Sequence, residues 1–469
     1  MSKFMPSASA LALLFLMSLP SPARAASDAD LAEIREQIRQ LKESYEARIQ
    51  ALEQKLKAAE TATPAVAATA TPPAPVPVPV TAPAAAPSAA PSSGLSAFNP
   101  AISAVLQGAY ANLSQDPSKY AITGFALGSD VTPGKRGFSL GESELAISAN
   151  VDDKFAGNLI VSLTPENTVS VEEAYGIVTA LPDGLTPKFG RFFSGLGYLN
   201  EQHQHVWDFI DAPLVYQVFF GGQYTNDGLQ LKWIAPTDQF LEFGAEVGDG
   251  ANFPGSDRDK NGIGDAVVYV HTGGDIGASN SWRAGLSYLQ TRTQDRQYSQ
   301  FDTAGNNAQL AFDGSSHLAG ADFVWKYAPN GNAQDTNFKM QGEYFFRRER
   351  GDLTYDRDGA LGLTQTSAYA SRQQGWYLQG VYQFMPYWRV GARYDRLDPG
   401  SIDYGVNAAY LDTPSFHPQR VSLMFDYTPS EFSRIRLQLA QSKVRPDVTD
   451  NELFIQYILT MGAHGAHRY

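Results

Sequence analysis

Between residues 96 and 469 apolar and polar positions alternate in short runs. In residues 420–427, Val421, Leu423, Phe425 and Tyr427 share one face, while Arg420, Ser422, Met424 and Asp426 share the other. Residues 434–439 repeat the pattern, with Ile435, Leu437 and Leu439 set against Arg434, Arg436 and Gln438. In 338–347, Phe338, Met340, Tyr344 and Phe346 alternate with Lys339, Gln341, Glu343 and Arg347. A period of two marks β-strands that separate two media. Such runs begin near 101, 138, 153, 168, 186, 223, 237, 265, 281, 315, 336, 373, 386, 418, 432 and 451. That is about 16 strands, an even number as a transmembrane barrel requires.

Loop lengths separate a barrel from a soluble sandwich. The stretches NVDDK, APTDQ, FMPYW and TPSEFS read as tight turns, whereas 113–136, 193–222, 249–264, 291–314, 348–372 and 397–417 are long and polar. The two kinds alternate, which places all tight turns at one end and all long loops at the other. A sandwich has no reason to sort loops by parity. The predicted fold is all-β, a transmembrane antiparallel β-barrel of about 16 strands. Trp207, Trp233, Trp282, Trp325, Trp376 and Trp388 mostly fall at predicted strand ends, where interfacial girdles belong. The last strand aligns Leu453, Ile455, Tyr457, Leu459 and Met461, and Tyr469 ends the chain with the same parity.

Ahead of the barrel the pattern changes three times. Residues 1–25 carry a basic start, an apolar run from Ala8 to Leu19 and Ala23-Arg24-Ala25, the features of a cleavable signal peptide. Residues 26–60 are charged and helix-favouring, with Leu31, Ile34, Ile38, Leu41 and Tyr45 spaced by threes and fours. After one extra step of four, Ile49, Leu52 and Leu56 continue the seam. This predicts a short coiled coil with one stutter, and therefore an oligomer, with a trimer as the natural expectation. Residues 61–95 are rich in Pro and Ala and bear no charge, as an extended linker would. The barrel is assigned to 96–469. The expected location is the outer membrane of a Gram-negative bacterium, with the N-terminal segment in the periplasm.

Composition narrows the chemistry. The chain has no Cys, so disulfides and thiol nucleophiles are excluded. Basic and acidic residues balance before position 96, so the net charge of −13 sits on the barrel, and no nucleic-acid partner is expected.

The run VEEAYGIVTALPDGLTPKFGRFFSGLGY (171–198), with Glu173-Ala174-Tyr175 followed by the KFGRFF strand, resembles the phosphate-selective porin O/P group and related outer-membrane porins. The order of coiled coil and barrel is also similar to sugar porins with periplasmic N-terminal coils. The resemblance implies a trimeric passive channel for small hydrophilic solutes. The departure is in charge: phosphate-selective relatives have lysine-rich lumens, and this barrel is acidic.

Strand parity turns Arg283, Arg347, Arg389, Arg393, Arg420, Arg434 and Arg436 into the lumen, together with Glu142 and Glu144 on an early strand. A basic wall facing acids would set a transverse field across a constriction; charges paired between neighbouring strands would simply stabilise the wall. The segment 193–222 is too aromatic to lie in water and is expected to fold into the mouth. That places Glu201, His203, His205, Asp208 and Asp211 at the constriction. His203 and His205 would also suit Zn²⁺, which needs three or four N/O ligands. Asp257, Asp259, Asn261 and Asp265 match the first part of a Ca²⁺ loop, or an ordinary solvated turn. No cofactor is required by a passive channel. Two alternatives stand beside it: a receptor of the TonB-dependent type related to zinc, and a barrel enzyme, for which none of the seven histidines lies in a nucleophile motif.

Overall fold

The computed structural model describes residues 100–129, 131–165 and 168–462. The leader, coiled coil and linker, and His464, His467 and Tyr469, lie outside them. The strands are β1 (Ala101–Leu113), β2 (Gly137–Leu140), β3 (Ser143–Asn150), β4 (Phe155–Leu163), β5 (Val169–Val178), β6 (Leu185–Phe193), β7 (Thr225–Ile234) and β8 (Phe240–Gly248). They continue as β9 (Asp265–Ile276), β10 (Asn280–Phe301), β11 (Asn307–Tyr327), β12 (Asn337–Tyr355), β13 (Gln365–Met385), β14 (Trp388–Asp403), β15 (Gln419–Ser430), β16 (Ser433–Arg445) and β17 (Val448–Gly462).

Neighbours in sequence pair antiparallel, and β1 pairs with β17 to close the cylinder. β2 and β3 both pair with β1 and are two halves of one strand broken at Gly141-Glu142. The described residues therefore form a closed barrel of 16 crossing strands. Closure pairs the backbone N–H and C=O groups along both edges of every strand, which a chain crossing lipid needs. No described helix is long and apolar enough to cross a membrane.

Alternation sorts the faces as the sequence predicts. Leu229 and Leu286 are each 60% exposed, while Gln341, Ser422 and Gln438 on inward positions are fully covered. An apolar outer belt around a polar interior is the inverse of a water-soluble protein and fits a lipid environment. Trp233, Trp282, Trp325 and Trp388 stand at the tight-turn end, where Trp388 stacks on Tyr427 with ring centroids 4.3 Å apart. Trp376 lies mid-strand. Trp207 departs from the girdle expectation and is buried inside the barrel.

The four tight turns singled out in the sequence share one end, as predicted, while the short connections after β4, β10 and β16 lie at the other. At the other end the connections are less uniform than the sequence suggests. Much of 291–314 and 348–372 is strand rather than loop, because β10 to β13 run for 22, 21, 19 and 21 residues. About 9–11 residues suffice to cross a bilayer. The extensions hold together through an inward cluster of Leu310, Phe312, Leu353, Tyr355, Tyr369 and Leu411. Polar outward positions made these stretches read as loops, while the inward half of the same residues builds a raised wall.

Candidate functional site: a re-entrant loop and the cavity beneath it

The segment between β6 and β7 turns into the barrel. Its neck is clasped by Asn200, whose side-chain amide donates to Ser194 O at 2.9 Å and Tyr224 O at 2.8 Å and accepts from Tyr224 N–H at 2.7 Å. Inside, Leu214–Phe220 forms a short helix, α1, with all seven residues buried. It packs with Trp207 and Leu199 against the wall residues Tyr269, Leu289, Phe345, Tyr377 and Leu397. The wall also completes the helix ends. Asp395 accepts from Leu214 N–H at 2.9 Å, and Arg347 donates to Val218 O at 3.1 Å. A carboxylate at the first turn and a guanidinium at the last satisfy backbone groups that a short helix leaves open.

Ionic loop residues each meet opposite charge on a different part of the wall. Glu201 pairs with Lys232 at 2.5 Å and Arg283 at 3.6 Å. Asp208 pairs with Lys339 at 2.7 Å and Arg389 at 3.2 Å. Asp211 pairs with Arg420 at 2.7 Å and Arg393 at 3.0 Å. Glu343 on β12 accepts from the Tyr198 and Leu199 N–H groups, both at 3.0 Å, and from the Tyr216 and Tyr377 hydroxyls. The loop is thus latched from β7 round to β15. Burial alone would raise the Glu201 carboxyl, but Lys232 and Arg283 more than offset it and hold it at about 2.

On the remaining side the sign reverses. His203 Nδ1 lies 3.3 Å from Glu172 Oε2 and 3.5 Å from Glu144 Oε2, and its Nε2 lies 3.1 Å from Glu173 Oε2. His205 Nδ1 lies 2.8 Å from Glu144 Oε1, and the two imidazoles stack with centroids 5.8 Å apart. Burial opposes charge on His203, yet the hydrogen bonds to Glu172 and Glu173 outweigh it and raise the ring well above its ordinary value.

Two irregularities aim these acids. The break between β2 and β3 sets Glu142 and Glu144 beside the lumen. On β5, Glu173 pairs with Ile160 and Val171 with Val161, so Glu172 is the extra residue of a bulge. A bulge lets consecutive side chains reach the same side, as regular alternation forbids. Glu172 and Glu173 are therefore site residues that parity reasoning misses. The two adjacent glutamates of the VEEAY run were the available signal.

Below the loop a cavity of about 1440 Å³ runs to the tight-turn end, lined by Tyr198, Glu201, His203, His205 and Asp208 above and by Asp275, Tyr327, Asp335, Tyr387 and Glu431 below. Of the arginines expected to line an open pore, Arg389 and Arg434 border this cavity. Arg347 and Arg436 are fully buried, Arg436 donating to Trp207 O at 2.8 Å and pairing with Asp426 at 2.9 Å. Of the two readings of these charges, pairing describes most of them, and the partners lie on the loop as well as on neighbouring strands. Their positive charge is spent on Asp208, Asp211, Asp395 and Asp426 rather than left facing the lumen.

Asp257, Asp259 and Asn261 lie exposed on a turn, the alternative that stood beside the Ca²⁺ reading. Asp259 N–H donates to Asp257, an Asx turn, while Asp265 turns inward to accept from Tyr224 and Asn226. Among the described residues, Glu144, Glu172 and His203 form the one group of three acidic or His ligands that converges, and Asp257, Asp259 and Asp265 do not.

No family model matches the chain. An uncharacterized protein of Aquifex aeolicus (strain VF5) is 32% identical over 351 residues, covering 71% of each chain. The chain belongs to that protein's family. Among solved structures, this family member is similar to OmpT in trimer form, an outer membrane protein of Vibrio cholerae, at 12% identity and a TM-score of 0.48, covering 78% of this chain and 100% of that one. It is also similar to the outer membrane channel DcaP of Acinetobacter baumannii, at 13% identity and a TM-score of 0.48, covering 78% and 99%.

Proposed function

We propose that the chain is an outer-membrane porin that lets small hydrophilic solutes or ions diffuse passively through a lumen narrowed by loop 193–222. The observation that carries this is the polar cavity itself, which enters a closed barrel from the turn end and reaches the charged underside of the loop. Its lining sets Glu144, Glu201, Asp208, Asp275, Asp335 and Glu431 against Lys326, Lys339, Arg389 and Arg434. A mixed field with an acidic excess disfavours apolar solutes and gives a mild preference for cations.

In this reading the tight turns face the periplasm and the outward belt contacts lipid. Three copies assemble, as the heptad seam of residues 26–60 suggests. The receptor alternative finds no support in the architecture, since 22-stranded barrels are the ones that carry plugged lumens.

Conductance of the purified chain in a planar bilayer, with the reversal potential in a salt gradient, tests the proposal. Stable openings in steps of three with a cation-selective reversal potential are expected. A barrel silent at all potentials, with intact heat-modifiable mobility on a gel, would overturn the passive-channel reading.

A further inference from the structure

We infer that His203 Nδ1, Glu144 Oε2 and Glu172 Oε2 form an open three-ligand site for a divalent transition cation, best matched by zinc, in the ceiling of the lumen cavity. The site stands apart from the channel reading, because binding does not require that the barrel conduct.

Geometry is the first support. The three ligand atoms all lie within 4.8 Å of one another, with His203 Nδ1 at 3.3 Å from Glu172 and 3.5 Å from Glu144. Zn–N and Zn–O bonds of about 2.0–2.1 Å in a tetrahedron separate ligand atoms by about 3.3 Å. The site needs little rearrangement to close on an ion.

The second support is what holds the ligands. A metal-binding imidazole commonly gives its other nitrogen to a carboxylate, which fixes the tautomer and the ring plane. Here His203 Nε2 faces Glu173 Oε2 at 3.1 Å, and Glu173 Oε1 is itself fixed by the Phe193 N–H at 3.0 Å. Phe193 also sets its ring edge-on to His203 at 5.0 Å. His205 Nδ1 holds the other oxygen of Glu144 at 2.8 Å.

The third is the bulge at Glu172, an interruption of the β4–β5 ladder whose effect is to bring a second consecutive carboxylate to the same imidazole. Charge completes the case. Glu144, Glu172 and Glu173 converge on His203, so a cation entering the cluster relieves the mutual repulsion of their carboxylates. Glu144 and His203 border the cavity, which gives an ion a path in and leaves a fourth position for water or a solute. Imidazole in the ligand set favours zinc over calcium or magnesium.

Isothermal titration calorimetry of the chelator-treated, detergent-held full chain with Zn²⁺, and with Ca²⁺ as control, tests this. One Zn²⁺ per chain is expected, with affinity falling about tenfold or more in both His203→Gln and Glu172→Gln. Co²⁺ should give the absorption of a low-coordinate site, lost in the same variants. A chain with His464 and His467 replaced by Ala should bind as before, which separates the site from its tail histidines. If His203→Gln fails to fold by heat-modifiable mobility, Glu172→Gln alone decides. Zinc affinity unchanged in the folded variants, or no tighter than that of Ca²⁺, would overturn the inference and leave the cluster an ionic latch.

Discussion

At the scale of single residues, the loop rests on a few buried contacts that tolerate little change. Asp211 sits between Arg393, Arg420 and the side-chain amide of Gln438. Removing it as Asp211→Ala leaves two covered guanidiniums with Asp395 as their remaining acidic partner, at 3.0 Å from Arg393 and 3.9 Å from Arg420. Breaking a buried pair from one side costs on the order of 3 kcal/mol. The expected result is a lower thermal midpoint and noisier single-channel current, read by melting and bilayer recording. Gly197 is a second pressure point. Its φ is +71°, and a Cβ there would lie 2.3 Å from Glu343 Oε2. Gly197→Ala should therefore push the loop off the Glu343 carboxylate and lower the thermal midpoint in the same assay.

At the scale of elements, α1 is a helix buried on every side, as a surface helix is not. Its seven residues are too few to persist alone in water, so its order depends on the wall. Val215 approaches the position a Cβ on Gly375 would take, within 3.1 Å. A carboxylate in that seat, as in Val215→Asp, would be fully buried in the apolar cluster, where a charge is costly. The loop is then expected to leave the lumen while the strands, which close without it, stay paired. Higher unit conductance and new protease cleavage within 201–222 would be the readout. Unchanged conductance would mean that the loop does not set the narrowest point.

At the scale of the whole molecule, electrostatic latching makes the loop sensitive to acid. Burial by itself would raise the carboxyls of Asp208 and Asp211. Lys339 and Arg389 around the first, and Arg393 and Arg420 around the second, more than offset it, so both titrate below the ordinary aspartate value of 3.8. A depressed carboxyl contributes stability above its unfolded value and loses that contribution as pH falls toward its folded one. The latch should thus hold from neutral pH to about 4 and weaken below it. Current fluctuations that grow on acidification below pH 4, and that Asp211→Ala already shows at neutral pH, are the expected signature.

Much of this was legible in the chain. Alternation is a local property, set by a period of two and by what each side chain costs in lipid, so strands near 101, 265, 281, 336, 418 and 432 were placed within one residue. The inward turn of 193–222 followed from the cost of exposing its aromatics. Three things needed the folded barrel. The outer ends of β10 to β13 are strands because their inward side chains pack on one another and on Ile402, Tyr404 and Leu411, residues up to about a hundred positions away in sequence. The arginines of β14 to β16 serve the loop because the acids Asp208 and Asp211 arrive from the opposite side of the barrel. Glu172 joins Glu173 at His203 because a bulge overrides parity, and the bulge exists only in the register between two strands. The sequence by itself determined which faces meet lipid and which meet the lumen, since that depends on one residue's polarity at a time. The tertiary structure decided which lumen charges are spent on one another, since pairing depends on distances that only closure of the barrel sets.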